Sequence, residues 1–313
     1  MRKAEVEISF NWVFILLVGA AFLFFFFNII NWQIDDGEQR TQRTISARLG
    51  PIFDALQSNP ETVKVHDRVV FEVDFRCDPN TGHEYQLVNS NQIVQLPYQL
   101  FFTPERIGGS RLISLVKKFS VPYDIDSMLL LTDERTEYVF VGNDNTVNRF
   151  YNLLPDEFVK RQISNIDEYQ AQDFRHTVFI SNTEISNIPQ RSSNVVIGTN
   201  NVRINGEGFK RVNDALTLAA IVSGNEKNFE CTLDKLVKKT EIINEIMANR
   251  SNTLRNHYIN TENSACASLY QPALVSNRIN ELINDQGVFN NQMIQQITQA
   301  NLNLRRQSCI TIY

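Results

Sequence analysis

The chain has 313 residues, and its 30 Lys and Arg against 35 Asp and Glu give a formal net charge of -5. That balance argues against nucleic acid as the main partner, because phosphate binding needs a basic surface. The length accommodates an apolar segment plus one large or two ordinary domains with a real core.

From Ile8 to Ile34 there is no charged residue, and Phe22, Leu23 and Phe24 to Phe27 form its densest part. About 20 apolar helical residues cross a hydrocarbon core of about 30 Å. Residues 10–32 therefore predict a transmembrane helix behind a short tail at 1–9. Trp12 and Trp32, the only two tryptophans, fall at its two interfaces, where indole rings prefer the headgroup level. A cleaved secretory signal is the competing reading, with Gly19-Ala20-Ala21 as its site. Cleavage there would leave Phe22 to Phe27 at the head of the mature chain, so a retained anchor is preferred. Arg2 and Lys3 precede the span, whereas Asp35, Asp36 and Glu38 follow it directly, ahead of Arg40, Arg43 and Arg48. The excess of basic residues on cytoplasmic flanks then places the N-terminus inside and the main domain outside.

Residues 33–62 read as a juxtamembrane helix with Ile45, Leu49, Ile52, Phe53 and Leu56 at helical spacing, bent near Gly50-Pro51. A β-rich domain is expected over 63–164, with strands at Thr62–Val65, Arg68–Arg76, His83–Val88 and Gln92–Phe102. Val69, Phe71, Val73 and Phe75 alternate with more polar residues to make one buried face. Phe101 to Ser110, punctuated by Pro104, Gly108 and Gly109, reads as a loop. Leu112–Phe119, Ser127–Thr132 and Thr136–Val141 are further expected strands, and the apolar run Met128–Leu131 suits a strand covered on both faces. Asn143–Leu154 and Pro155–Ile163 read as two short helices.

The polar stretch Asn165–Gln172 marks the boundary to a second small α/β region, 165–225, with β-rich runs at His176–Ser181, Asn194–Gly198 and Val202–Ile204. Ala215–Val222 is apolar until Ser223-Gly224-Asn225 breaks it. A C-terminal helical unit follows over 226–313, where three stripes mark three helices. They are Leu233, Leu236, Val237, Thr240, Ile243 and Met247; Leu269, Ala273, Ser276, Ile279 and Ile283; and Phe289, Met293, Ile297, Ala300 and Leu304. Such stripes pack cores. The fold class is α+β: an N-terminal transmembrane helix, a mixed β-rich ectodomain and a C-terminal helical unit.

Cys77, Cys231, Cys266 and Cys309 are far apart, and no two have metal-site spacing. Outside the cytoplasm an even count favours two disulfides over four buried thiols. Three alternating helices put Cys231 at one end of the unit and Cys266 with Cys309 at the other. A rise of about 1.5 Å per residue separates Cys231 from Cys266 beyond disulfide reach, so Cys266 with Cys309 and Cys77 with Cys231 is the expected pairing.

No catalytic signature stands out. His66, His83, His176 and His257 form no metal motif, and Gly206-Glu207-Gly208 lacks the third glycine of a dinucleotide fingerprint because position 211 is Arg211. Asp124, Asp126, Asp133 and Glu134 cluster in sequence and could flank a glycosidic bond or hold Ca2+; solvated turns around a strand are the simpler reading. Asn249-Arg250-Ser251 is a glycosylation sequon at Asn249. No catalytic residue, cofactor or metal is expected.

Met1-Arg2-Lys3-Ala4, followed by Glu5, Glu7 and the apolar helix, resembles the leader of an archaeal prepilin, although neither glutamate takes the fifth mature position after cleavage at Ala4. That resemblance implies a helix that packs into a filament core. Glu7-Ile8-Ser9-Phe10-Asn11-Trp12, Phe101-Phe102-Thr103-Pro104, Val121-Pro122-Tyr123 before Met128–Leu131, and Ala219 to Cys231 are similar to segments of uncharacterised single-span membrane proteins of small-genome archaea. This likeness implies a surface-anchored protein and supplies no activity. The expectation is a non-enzymatic, membrane-anchored extracytoplasmic protein of binding or assembly, touching the lipid bilayer and a protein partner or a second copy of itself. The alternatives are a type IV pilin-like filament subunit and an envelope hydrolase with a composite acidic site.

Overall fold

The computed structural model describes residues 16–26, 49, 51–53, 55, 62–78, 81–88, 93–96, 99–199, 201–206, 210–211, 213–271, 275–283 and 289–313. The chain forms two compact units, Met1–Pro51 and Ile52–Tyr313. In the first, residues 16–26 are helical (α1). Leu16, Leu17, Phe22, Leu23, Phe24, Phe25 and Phe26 are all exposed, Leu23 by 74%. The remainder of the expected span, Trp12, Trp32 and most of the juxtamembrane helix lie outside the described residues. Among the described residues no helix is long and apolar enough to cross a membrane.

The second unit is α+β and contains two six-stranded sheets. The strands of the first are β1 (Val63–Asp78), β2 (Gly82–Leu87), β3 (Ile93–Leu96), β4 (Leu100–Phe102), β5 (Arg106–Ser120) and β6 (Asp124–Asp133), in the order β3-β2-β1-β5-β6-β4. All neighbours are antiparallel except β4 beside β6. The second sheet holds β7 (Thr136–Val141), β8 (Lys160–Ile163), β9 (His176–Ser181), β10 (Ser192–Ile197), β11 (Asn201–Ile204) and β12 (Lys210–Arg211), in the order β12-β11-β10-β9-β7-β8. Its strands β10, β9, β7 and the edge strand β8 run parallel. Parallel strands are covered on both faces and read as unbroken apolar runs, as Tyr138-Val139-Phe140 and Val178-Phe179-Ile180 do, all fully buried. The sheets divide between β6 and β7, ahead of the polar stretch 165–172.

Several elements differ from the sequence reading. Thr62–Val65 and Arg68–Arg76 are parts of one long strand, β1, whose register against β5 shifts between Asp67 and Phe71. The expected strand Gln92–Phe102 is two strands, β3 and β4, on opposite edges of the sheet. Gly108 and Gly109, read as loop punctuation, lie inside β5. A Cβ at Gly108 would stand 2.6 Å from the Phe71 carbonyl oxygen, and one at Gly109, where φ is +153°, would collide with the Glu134 carboxylate. Here glycine permits close approach of two backbones. Residues 160–163, read as part of a helix, pair with β7 as β8; the preceding α2 (Asn145–Leu153) is helical as read and is capped by Asp144, which accepts from the N–H groups of Thr146 and Val147.

Helix α3 (Asp214–Ser223) is the centre of the unit. Every residue from Leu216 to Ser223 is buried, and the helix touches β4, β5 and β6 of the first sheet and β10 and β11 of the second. Its apolar residues belong to one continuous core. Helix α4 (Glu226–Asn260) buries Phe229, Leu233, Leu236, Thr240, Asn244, Ala248 and Ser251. This face is turned slightly from the expected stripe, leaving Ile243 and Met247 only partly covered. The second expected helix is two short ones, α5 (Ser264–Leu269) and α6 (Ser276–Asn280). The chain leaves α5 just before Pro272, and the residue ahead of a proline disfavours helix. Helix α7 (Asn291–Arg306) completes the unit.

Fully burying a Leu or Ile side chain stabilises a fold by about 1.5–3 kcal/mol, and truncation adds the cost of a cavity. Leu216→Ala is expected to lower unfolding free energy by about 2–5 kcal/mol. Denaturant unfolding with both disulfides intact measures this; a loss below about 1 kcal/mol would show that α3 is not the central packing element.

Candidate functional site

The sequence-derived acidic cluster does not form a site. Asp124 pairs with Lys118 and accepts from Ser120, and Asp126 pairs with Lys239. Asp133 is buried and accepts from the Gly108 N–H (2.5 Å), the Arg135 N–H (3.0 Å) and the Thr136 hydroxyl (2.8 Å). Burial pushes its carboxyl above the usual range against the pull of those donors and of Arg175. Glu134 accepts from the N–H groups of Ser110 (2.6 Å) and Arg111 (2.9 Å). Burial would raise its pKa, but these bonds carry it below the ordinary value. Each carboxylate is therefore engaged by partners of its own, Asp126 by a lysine of α4 and the others by turn and strand groups.

Among the described residues no three His, Cys, Asp or Glu side chains form a group that could hold a metal. The histidines are dispersed over β1, β2, β9 and α4. Asn249 is exposed in the middle of α4, whereas Ser251 of the same sequon is fully buried. Residues 207–209 of the glycine turn lie outside the described residues.

The disulfides join Cys77 to Cys231, with Cα atoms 5.9 Å apart, and Cys266 to Cys309, 5.8 Å apart. The first ties the end of β1 to the start of α4. Beside it His83, paired in register with Cys77, places Nε2 3.1 Å from the Thr232 hydroxyl. Burial, with Lys235 nearby, pushes the His83 pKa down to about 3. The second disulfide holds the C-terminal segment beside the stacked rings of Tyr258 and Tyr270, whose hydroxyls bond the Ile310 backbone.

One cleft, about 330 Å³ in volume, gathers polar side chains from six parts of the chain. It is built at the amino ends of β9 and β10. These parallel neighbours are joined by residues 182–191 without a helix, and Ser193 pairs in register with Val178. That register sets His176 diagonally beside Ser193, and His176 Nε2 lies 3.0 Å from Ser193 Oγ. The Arg191 backbone lies beside the ring and favours its charged form. An imidazole is favoured in its charged form by a backbone group only when it donates, so the backbone group that acts on it is a carbonyl. In the tautomer with the proton on Nδ1, Nε2 accepts from the Ser193 hydroxyl. Burial pushes the His176 pKa below its ordinary value against the pull of the Arg191 backbone, keeping the ring neutral at neutral pH.

The opposite wall is the junction of α3 and α4. Ser223, the last residue of α3, is fully buried, and its Oγ has no hydrogen-bond partner among the described residues. Gly224 follows in the left-handed conformation (φ 51°) that glycine adopts at helix ends. A Cβ there would stand 2.8 Å from Val178 Cγ2 and 3.5 Å from His176 Nε2, so glycine keeps this face of the histidine open. Asn225 caps α4 by accepting from the Asn228 N–H at 3.0 Å. Along the third side, Arg106 makes a two-point contact with Asp74, and Arg175 pairs with Glu72 (3.2 Å) and Asp133 (3.8 Å).

Sequence reasoning missed this cleft. Ser193 and His176 are separated by a loop and belong to no motif; only the register of two parallel strands brings them together. Open parallel sheets hold ligands beyond the carboxyl ends of their strands, whereas this cleft is at the amino ends, so fold analogy gives no guide to its ligand. Comparison with protein families, curated proteins and solved structures finds no match for the chain.

His83 gives a pH dependence. Its folded pKa lies below the unfolded value of about 6.5, so the unfolded chain binds the proton more readily between about pH 6.5 and 3. Stability is full above that window and is lost as pH falls through it, at a rate on the order of 1 kcal/mol per pH unit. Thermal unfolding from pH 7 to 4 is expected to show a steeper decline in the wild type than in His83→Gln; identical slopes would exclude His83 as the source.

Proposed function

We propose that the chain is a membrane-anchored protein whose α+β domain works in binding or assembly on the extracytoplasmic side of the cell envelope. The observation that carries this reading is α1, apolar on every side and exposed along its described length. A helix that is hydrophobic all round has to be covered by lipid or by protein. It belongs to an uncharged run of the length that a bilayer requires. The two disulfides support the topology, since such bonds persist in oxidising compartments and are rare in the cytosol. A composite acidic hydrolase site finds no support, because Asp124, Asp126, Asp133 and Glu134 are engaged separately.

The same exposed helix also suits the second reading, a pilin-like subunit whose apolar helix is covered by other copies in a filament. N-terminal sequencing of the mature protein separates the two. An intact Met1 is expected for the anchor, and a start near Glu5 would transfer the assignment to the filament.

For topology, the chain is expected to stay with the bilayer after alkaline carbonate extraction, and protease added to intact cells is expected to remove the domain. Release into the carbonate supernatant would overturn the anchor. Protection of the domain in intact cells, with cleavage after lysis, would place it on the cytoplasmic side and overturn the topology.

A further inference from the structure

The cleft between β9, β10 and the α3–α4 junction contains more than a ligand would need for simple polar recognition. We infer that Ser193 is an activated nucleophile, with His176 as its general base, and that the cleft accepts short, uncharged acyl esters. This goes beyond binding and assembly and does not depend on which side of the membrane the domain occupies.

Three observations support the activity. First, a serine hydroxyl becomes a nucleophile when an adjacent base is within hydrogen-bond reach and is itself oriented by a third group. Here Nε2 is 3.0 Å from Ser193 Oγ, and the Arg191 backbone is the third group beside the ring. Arg191 adopts a positive φ of 63°, uncommon outside glycine, in the turn that leads into β10.

Second, Ser223 places on the same cleft a hydroxyl that is buried without a partner among the described residues. An unpaired buried hydroxyl costs stability, and a hydrogen bond from it to the oxygen of a bound acyl group would satisfy it. Oxygen charge that develops during attack is stabilised by such preorganised donors.

Third, the charges along the cleft are matched from within the chain. Arg106 is held by Asp74, Arg175 is held by Glu72 and Asp133, and Glu105 on the lining adds a negative charge. An anionic ligand would meet this carboxylate and two already paired arginines. A neutral ester meets no such penalty, and about 330 Å³ admits a short acyl group.

The chemistry balances with water alone. Ser193 Oγ attacks the carbonyl carbon and its proton passes to His176 Nε2, while the carbonyl electron pair moves to oxygen beside the Ser223 hydroxyl. Collapse breaks the bond to the alcohol, which leaves with the proton from Nε2, and the acyl group remains on Ser193. Water then attacks the acyl carbon by the same route, giving the acid and restoring the serine.

The test uses the full chain in detergent micelles with an alkyl fluorophosphonate, which phosphonylates an activated serine and releases fluoride. Peptide mapping is expected to find the label on Ser193, at least tenfold slower in His176→Gln and absent in Ser193→Ala. Ser223→Ala removes a buried hydroxyl with no bond to lose, so it is expected to fold natively and to be at least as stable as the wild type. Its hydrolysis of p-nitrophenyl acetate is expected to fall by about tenfold or more. No label on Ser193 in wild-type protein with both disulfides intact would overturn the proposal. So would equal labelling rates in the wild type and natively folded His176→Gln, or unchanged ester hydrolysis in Ser223→Ala.

Discussion

The burial of α3 is the constraint on which the rest of the domain depends. An α-helix normally presents one apolar stripe to a core, yet α3 is covered from Leu216 to Ser223 and touches strands of both sheets. Its sequence, Ala215 to Val222, carries almost no polar group that would object to such a position. Where this helix ends is equally consequential. Gly224 turns the chain, and Asn225 starts α4 at once, so the two helices meet over the amino ends of β9 and β10. The cleft is the space left at that corner.

Long-range closure is the second theme. Cys77–Cys231 spans 154 residues of sequence and Cys266–Cys309 spans 43. In the chain-entropy view, loops of those lengths raise the free energy of the unfolded chain by about 5 and about 4 kcal/mol. The first bond joins β1 of the first sheet to the helix that follows α3, and the second closes the C-terminal segment onto α5. Neither does the work of the core.

Much of the fold was legible where one physical signal dominated. Unbroken apolar runs marked β6, β7 and β9, the Ser223-Gly224-Asn225 break marked the end of α3, and helical spacing marked α4 and α7. The cysteine argument required only helix length and direction, and the structure holds the pairs it expected. The signals failed where two causes share one residue type. Gly108 and Gly109 resemble a loop, but they sit in β5 because a neighbouring backbone and the Glu134 carboxylate occupy the place of a side chain. Lys160 to Ile163 carries no strand pattern and is a strand through its pairing with β7. Pro272 lies between α5 and α6 within what reads as a single stripe. The candidate site was the least legible feature: strand register pairs Ser193 with His176, and register between parallel strands leaves no local trace.

The extracytoplasmic domain proposed above, closed by two disulfides behind an apolar helix, is open to a direct test. The most direct measurement is acid quenching of native cells, alkylation of every free thiol, and peptide mapping without reduction. Cys77, Cys231, Cys266 and Cys309 are expected to escape alkylation and to be recovered as Cys77–Cys231 and Cys266–Cys309 peptides. Alkylated cysteines in freshly quenched cells would contradict the compartment, and a Cys231–Cys266 linkage would contradict the fold.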